Sequence, residues 1–482
     1  MPRFLLCLAA VIAGLTGCSP KETAPEVRWR FLGGRVLQLQ TNAPVLREVL
    51  NLPQAKALAA PLTSQLARAW WTFGKGETEP TPDALDAGAI LLRDLLNELS
   101  IGEVVTSSGG GREFALAIQV PAERVPLWEK AWPAWIKALR AAQVSPGSGS
   151  PSVTRHDVWL LAVSDSKLLP PDPTLLRLAA YPPVAGALLQ FEMAIPGLPA
   201  SQVAFTATNG TVRASAGITT LKPLPSSLPP WDIPQFIREP LIQFTAVREL
   251  NSVTEGWFDS TPWTGGRWPN QMYSWGQPSL SMRYPFLAAQ TDDPQGFLDH
   301  WHQRLQNSFA PASPSPLYKG RLVQETNRLI IVGGLPVAPV LQANTQEQKP
   351  FVTFGVIPMI RTTNPPAAEM VAQMSRPNVV LYDLEFTSEA VKQWNAVFQI
   401  PELLEGRQAI MSYPGTQWLL AAGPKIGECV TTMTIEGERK LQILRKSPVG
   451  LSGLELTLLT KWLDPEPPLR RQITNSPVRS KQ

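Results

Sequence analysis

The chain has 482 residues, of which 17% are charged, and a net charge of +4. So small a surplus on so long a chain argues against a nucleic-acid partner, because such proteins carry a marked basic excess. The 49 prolines and 16 tryptophans, set among few charges, describe a loop-rich, well-packed exterior rather than disorder, which goes with high charge and few aromatics.

At the N-terminus Met1-Pro2-Arg3 precedes an apolar run from Phe4 to Leu15, followed by Thr16-Gly17-Cys18-Ser19-Pro20. One cation, about a dozen apolar residues and a small-residue exit form a secretory signal pattern. The run is too short to span a bilayer, which takes about 20 residues. Leu15-Thr16-Gly17-Cys18 resembles the lipobox of bacterial lipoproteins at all four positions. The resemblance implies cleavage before Cys18, a diacylglyceryl thioether on its sulfur and acylation of the new amino terminus. The membrane is then a partner through the lipid anchor. In a Gram-negative cell the outer membrane is implied, since Ser19 stands where an aspartate marks inner-membrane retention. The rest of the chain resembles no characterised family.

The expected divisions are a signal peptide (1–17), a lipidated cysteine and tether (18–30), a first domain (31–222), a Pro-rich linker (223–234), a second domain (235–464) and a basic, disordered tail (465–482). Cys7 leaves with the signal and Cys18 carries the lipid, so Cys429 stands alone. That excludes an intramolecular disulfide and a cysteine-based zinc site.

In the first domain the pattern predicts a strand over 35–40 and helices over 44–73 and 83–99. Strands over 104–106 and 113–120 flank Ser107 to Gly111. A helix over 123–142 and strands over 156–163 and 186–194 follow. Strands 203–208 and 211–216 flank Asn209-Gly210, a strong hairpin signal. In the second domain strands are predicted over 279–289, 351–357 and 378–386, and hairpins turn at Asn327 and at Glu436-Gly437. Helices are predicted from Asp292, over 388–398 and over 451–462. The fold class is α+β: two similar domains in which antiparallel sheets pack against helices.

The similarity has a register. Trp128, Trp132 and Ile136 form one helical stripe, and Phe297, Trp301 and Leu305 form another at the same spacing. The two hairpin turns lie further apart, so an internal duplication requires an insertion in the second half, expected around 364–407.

No catalytic set emerges, and neither a cofactor nor a metal is expected. His300 and His302 lie two residues apart on a predicted helix and point about 200° apart, so they cannot share an ion. His156 opens a predicted strand and reads as a surface residue. Ser164 and Lys167 have the Ser-x-x-Lys spacing of penicillin-recognising enzymes, but Ser164 ends a strand instead of opening a helix, and the partner motifs are missing. Cys429 reads as a buried structural thiol. One segment, 256–277, is rich in aromatic residues among glycines and polar groups, and reads as a loop. Trp263, Arg267, Trp268, Tyr273 and Trp275 are its candidates for contact with a glycan, small ligand or envelope protein. The functional expectation is a non-catalytic envelope lipoprotein that binds or scaffolds a partner. The alternatives are a glycan or small-ligand binder using this loop, and a hydrolase with an unidentified carboxylate pair.

Overall fold

The computed structural model describes residues 25–73, 80–106, 112–142, 149–196, 198–249, 269–278, 286–308, 320–333, 338–344, 349–356, 363–404 and 413–463. The fold is α+β, with antiparallel strands packed against helices.

The first half contains β1 (Val27–Phe31), α1 (Gly34–Leu37), α2 (Pro44–Leu50), α3 (Pro53–Phe73), α4 (Pro82–Asn97), β2 (Ser100–Thr106), β3 (Arg112–Ile118), α5 (Val125–Ala141), β4 (Ser152–His156), β5 (Trp159–Val163), α6 (Pro171–Ala179), β6 (Ala187–Met193), β7 (Ala200–Thr208) and β8 (Thr211–Thr219). The second half contains β9 (Gln243–Arg248), β10 (Gln271–Gly276), β11 (Phe286–Gln290), α7 (Pro294–Ser308), β12 (Arg321–Glu325), β13 (Arg328–Val332), β14 (Pro339–Asn344), β15 (Phe351–Val356), α8 (Ala368–Met374), β16 (Val379–Phe386), α9 (Thr387–Leu404), α10 (Pro414–Ala422), β17 (Glu428–Ile435), β18 (Lys440–Ser447) and α11 (Gly453–Leu463).

Among the described residues the 18 strands join into one sheet. In the first half the strand neighbours run β4-β5-β3-β2-β1-β6-β7-β8. The second half continues β18-β17-β16-β9-β10-β11-β15-β14-β13-β12. The seam is β8–β18, paired from Val212–Ser447 to Thr219–Lys440. In the first half β1 lies between β2 and β6, and in the second β9 lies between β10 and β16. Among the described residues the second half has ten strands to the first half's eight, and α9 and α10 separate its β16 from β17.

Local chemistry sets several elements. Asn209 and Gly210 both have positive φ, 48° and 83°, which is what a two-residue hairpin turn requires. Thr81 caps α4, its hydroxyl accepting the Ala84 N–H at 3.3 Å. On α5, Trp128, Trp132, Trp135, Ile136 and Leu139 are all under 5% exposed. Each such side chain contributes roughly 1.5–3 kcal/mol by leaving water. Two of the three indoles have a bonded polar edge: Trp128 Nε1 donates to Asp94 at 2.8 Å, and Trp132 Nε1 to the Val163 carbonyl at 2.8 Å. Gly102 leaves room for the Trp29 ring, which an added Cβ would meet at 2.0 Å.

Several expectations are corrected. The strand expected over 35–40 lies earlier, at Val27–Phe31, inside the segment assigned to the tether. Gly33, at φ 90°, ends it, and α1 follows. The strand expected over 156–163 is a hairpin, β4–β5, turning at Asp157 with φ 53°. The helix expected over 44–73 is two helices, broken before Pro53. The Pro-rich segment is no free spacer. Leu224 is 7% exposed, and Trp231 Nε1 donates to the Met374 carbonyl at 2.9 Å. The halves also touch through their helices. Val49 and Leu58 pack with Trp418, Leu419 and Ala422, and Trp418 Nε1 donates to the Val49 carbonyl at 3.1 Å.

Candidate functional site

Cross-strand registers sort the side chains onto two faces, since directly opposed residues point to the same side. One face holds the row Ser215, Leu444, Thr432, Tyr382, Ala246 and Tyr273. At its far end this row is core: Tyr382, Ala246 and Tyr273 pack against Trp231, Phe236, Met370 and Met374. On the same face of the first half, Arg28 opposes Glu103, which opposes Ala115, and Ala115 packs with Leu178 of α6 and the nearby Tyr181. Between these covers lies a floor of β6, β7, β8, β18 and β17. Gln202, Arg213, Thr219, Lys440, Leu444 and Lys446 are exposed there.

At one end of the floor an open cleft of roughly 360 Å³ is lined by Pro25, Arg28, Glu192, Gln202, Gly217 and Lys440 among others. Arg28 sits on β1 between Glu103 and Glu192. Its Nε is 3.5 Å from Glu103, which is fully buried and also accepts from Arg177 Nε at 2.8 Å. The Arg28 guanidinium lies 5.8 Å from the centroid of the Tyr181 ring. Burial, with the Glu192 carboxylate adding to it, pushes the Tyr181 phenol up to about 12, so it remains a neutral donor. Gln202 donates to Glu192 at 3.4 Å, and Lys440 pairs with Glu436 at 3.3 Å. These groups can hold a polar or charged ligand by hydrogen bonds.

The opposite face is covered in the middle by helices and hides a different cluster. Asp383 and Glu385 project from β16, two residues apart. Asp383 accepts from Thr245 Oγ1 at 2.7 Å. Glu385, 3% exposed, accepts from Thr387 Oγ1 at 3.2 Å and from the Gly453 N–H. Burial, then the neighbouring Asp383 charge, pushes Glu385 up to about 8, and burial raises Asp383 as well. Arg445 pairs with Glu455 at 2.5 Å and donates to Thr431 at 2.9 Å. Burial opposes the Glu455 charge, but the Arg445 charge and hydrogen bond, with the Ser452 N–H among the further lowering influences, outweigh it and hold the carboxyl below its usual range. Glu455 accepts the Ser452 N–H at 3.0 Å, while Ser452 Oγ accepts the Glu455 N–H at 3.3 Å, a reciprocal capping box at the start of α11. These bonds fasten α11 to the sheet, and neither β16 carboxylate lines the cleft.

The residues singled out in the sequence scatter. Trp263, Arg267 and Trp268 lie outside the described residues. Tyr273 and Trp275 are not on a loop: both are in β10, each 1% exposed. The Tyr273 hydroxyl donates to Gln271 Oε1 at 2.6 Å, and Trp275 stacks on Phe286 with centroids 5.4 Å apart. The period-two run from Gln271 to Gly276 places these two rings on one side of a strand, inside the core, so they are unavailable to a partner.

Ser164 is fully buried, donating to Glu113 at 2.5 Å and accepting the Phe114 N–H at 2.8 Å, while Lys167 is exposed. That serine is tied into the sheet. His156 ends β4 and lies 3.6 Å from Asp172. His302 meets Gln306 at 2.9 Å along α7. Among the described residues no group of three His, Cys, Asp or Glu side chains could hold a metal ion. Cys429 is buried in β17, and burial, then Glu385, raises its thiol pKa.

The cleft residues went unnamed at the level of sequence. Arg28 fell in the expected tether, although the alternation Val27-Arg28-Trp29-Arg30-Phe31 carries a strand signal. Glu192 and Lys440 meet only through the pairing of β6, β7, β8 and β18, which no local pattern announces. No family model matches the chain, and comparison with curated proteins and with solved structures gives no significant match either.

Proposed function

We propose that this chain is a lipid-anchored protein of the bacterial envelope, exported and held through Cys18, which acts by binding a partner rather than by catalysis. The observation that carries the reading is Leu15-Thr16-Gly17-Cys18 at the end of a charged and then apolar leader. The outer membrane is the destination this reading favours in a Gram-negative cell, from Ser19. Several acyl chains on one cysteine make a lasting anchor, where a single chain binds only marginally. Among the described residues no helix is long and apolar enough to cross a membrane, so an anchor of this kind would do the holding.

The contact surface in this reading is the uncovered floor with its cleft. It supports binding because the charged groups of the cleft, Arg28, Glu192 and Lys440, are set by ion pairs and hydrogen bonds before any ligand arrives, which lowers the ordering cost of association. We read the two halves as copies of one ancestral unit, a reading supported by the matching surroundings of β1 and β9.

Metabolic labelling with radioactive palmitate tests the anchor. Label on the wild-type chain and none on Cys18→Ala is the expected result. Equal labelling of both would remove Cys18 from the account.

A further inference from the structure

The floor contains an arrangement that folding alone does not favour. Arg213 and Lys446 are directly opposed across β8 and β18. Like charges so placed repel. Both are exposed, and neither side chain has an ion pair or hydrogen bond among the described residues. Six residues along β18 from Lys446 stands Lys440, beside the cleft and paired, among the described residues, only with the exposed Glu436 on its own hairpin. At about 3.4 Å per residue the two cationic stations are about 20 Å apart. Between them the floor is uncharged: Ala204, Ser215, Gly217, Thr432 and Gln442, with Leu444 standing exposed on β18.

We propose that this floor is a docking surface for an extended acidic segment of a partner polypeptide, lying along the strands with carboxylates at its two ends. An extended chain advances about 3.4 Å per residue, so acidic residues six apart reach both stations and point the same way. Small side chains on β7 and β8 allow a backbone close to the sheet beside Leu444, whose exposed apolar surface it would cover, and the hydroxyls and amides there can bond it. A nucleic acid carries a phosphate every few ångströms and would leave most of its charge unmatched over the neutral centre. A bilayer is held off by the flanks, where α6 on one side stands roughly one helix diameter, about 10 Å, above the floor. The inference rests on the binding reading above but not on the anchor.

The test uses the full chain carrying Cys18→Ala, so that lipidation plays no part. The probe is a fluorescein-labelled nonapeptide of serine and threonine with glutamates six positions apart, and its controls carry glutamine or lysine there. Anisotropy should show the glutamate peptide binding at least tenfold more tightly than the glutamine peptide. Arg213→Gln, Lys440→Gln and Lys446→Gln together should remove that preference, and Arg213→Glu, Lys440→Glu and Lys446→Glu together should turn it toward the lysine peptide. A cooperative thermal melt in both variants shows that the fold is intact. Equal binding of glutamate and glutamine peptides, or a preference that survives the substitutions, overturns the inference. So does tighter binding of oligothymidylate or phosphatidylglycerol vesicles through the same residues, though the binding reading then stands. If no peptide, oligonucleotide or vesicle binds, both fall.

Discussion

Arg213 and Lys446 face each other across β8 and β18, the strand pair that joins the two halves of the chain into one sheet. A cationic pair thus marks the seam, on the face that helices leave open. Opposed like charges weaken a sheet by roughly 0.2–1 kcal/mol. Lys446→Glu should therefore raise stability by about that amount in low salt. Urea unfolding at two salt concentrations checks it, and a gain that does not shrink with salt would mean that the effect is not electrostatic.

Trp275 and Tyr273 form part of the core beneath the Pro-rich segment, so their loss should be felt in stability. Trp275→Ala is expected to cost about 3–5 kcal/mol, as for other buried aromatics. The denaturant midpoint should fall sharply. A variant as stable as wild type would return the residue to the surface.

Glu385 makes stability depend on pH with a definite sign. Its carboxyl titrates at 4.5 when unfolded and at about 8 when folded, so folding takes up a proton between these values. The contribution is full below pH 4.5 and is lost as pH rises through about 8. Asp383, also raised by burial, acts in the same direction. Glu385→Gln should flatten the fall in melting temperature between pH 5 and pH 8, read by calorimetry. An unchanged slope would place the proton elsewhere.

Ser452 and Glu455 close the start of α11 reciprocally. Ser452→Ala should cost about 0.5–2 kcal/mol, the usual loss of a cap. Ser452→Asp, which restores an acceptor at the cap, should recover most of it. Equal losses in the two variants would point to packing instead.

What the sequence disclosed depended on how local the signal was. Asn209-Gly210 announced its hairpin because only residues tolerant of positive φ suit that turn. The stripe of Trp128, Trp132 and Ile136 announced α5 through its helical period. Asp157 hid the β4–β5 turn, since an aspartate followed by valine is a poor turn signal. Tyr273 and Trp275 were misassigned because glycine and proline upstream suggested a loop, although Met272 and Ser274 alternate with them in a strand's period. The cleft was out of reach altogether. Arg28, Glu192 and Lys440 come from three distant strands, and only long-range pairing brings them together.

The central claim, attachment through Cys18, is tested most directly by intact-mass spectrometry of the chain recovered from membranes, beside the Cys18→Ala variant. The expected chain begins at Cys18 and carries the added mass of a diacylglyceryl group and an acyl chain, with both the cleavage and the increment lost in the variant. An unmodified chain in the soluble fraction, the same for both proteins, would contradict it.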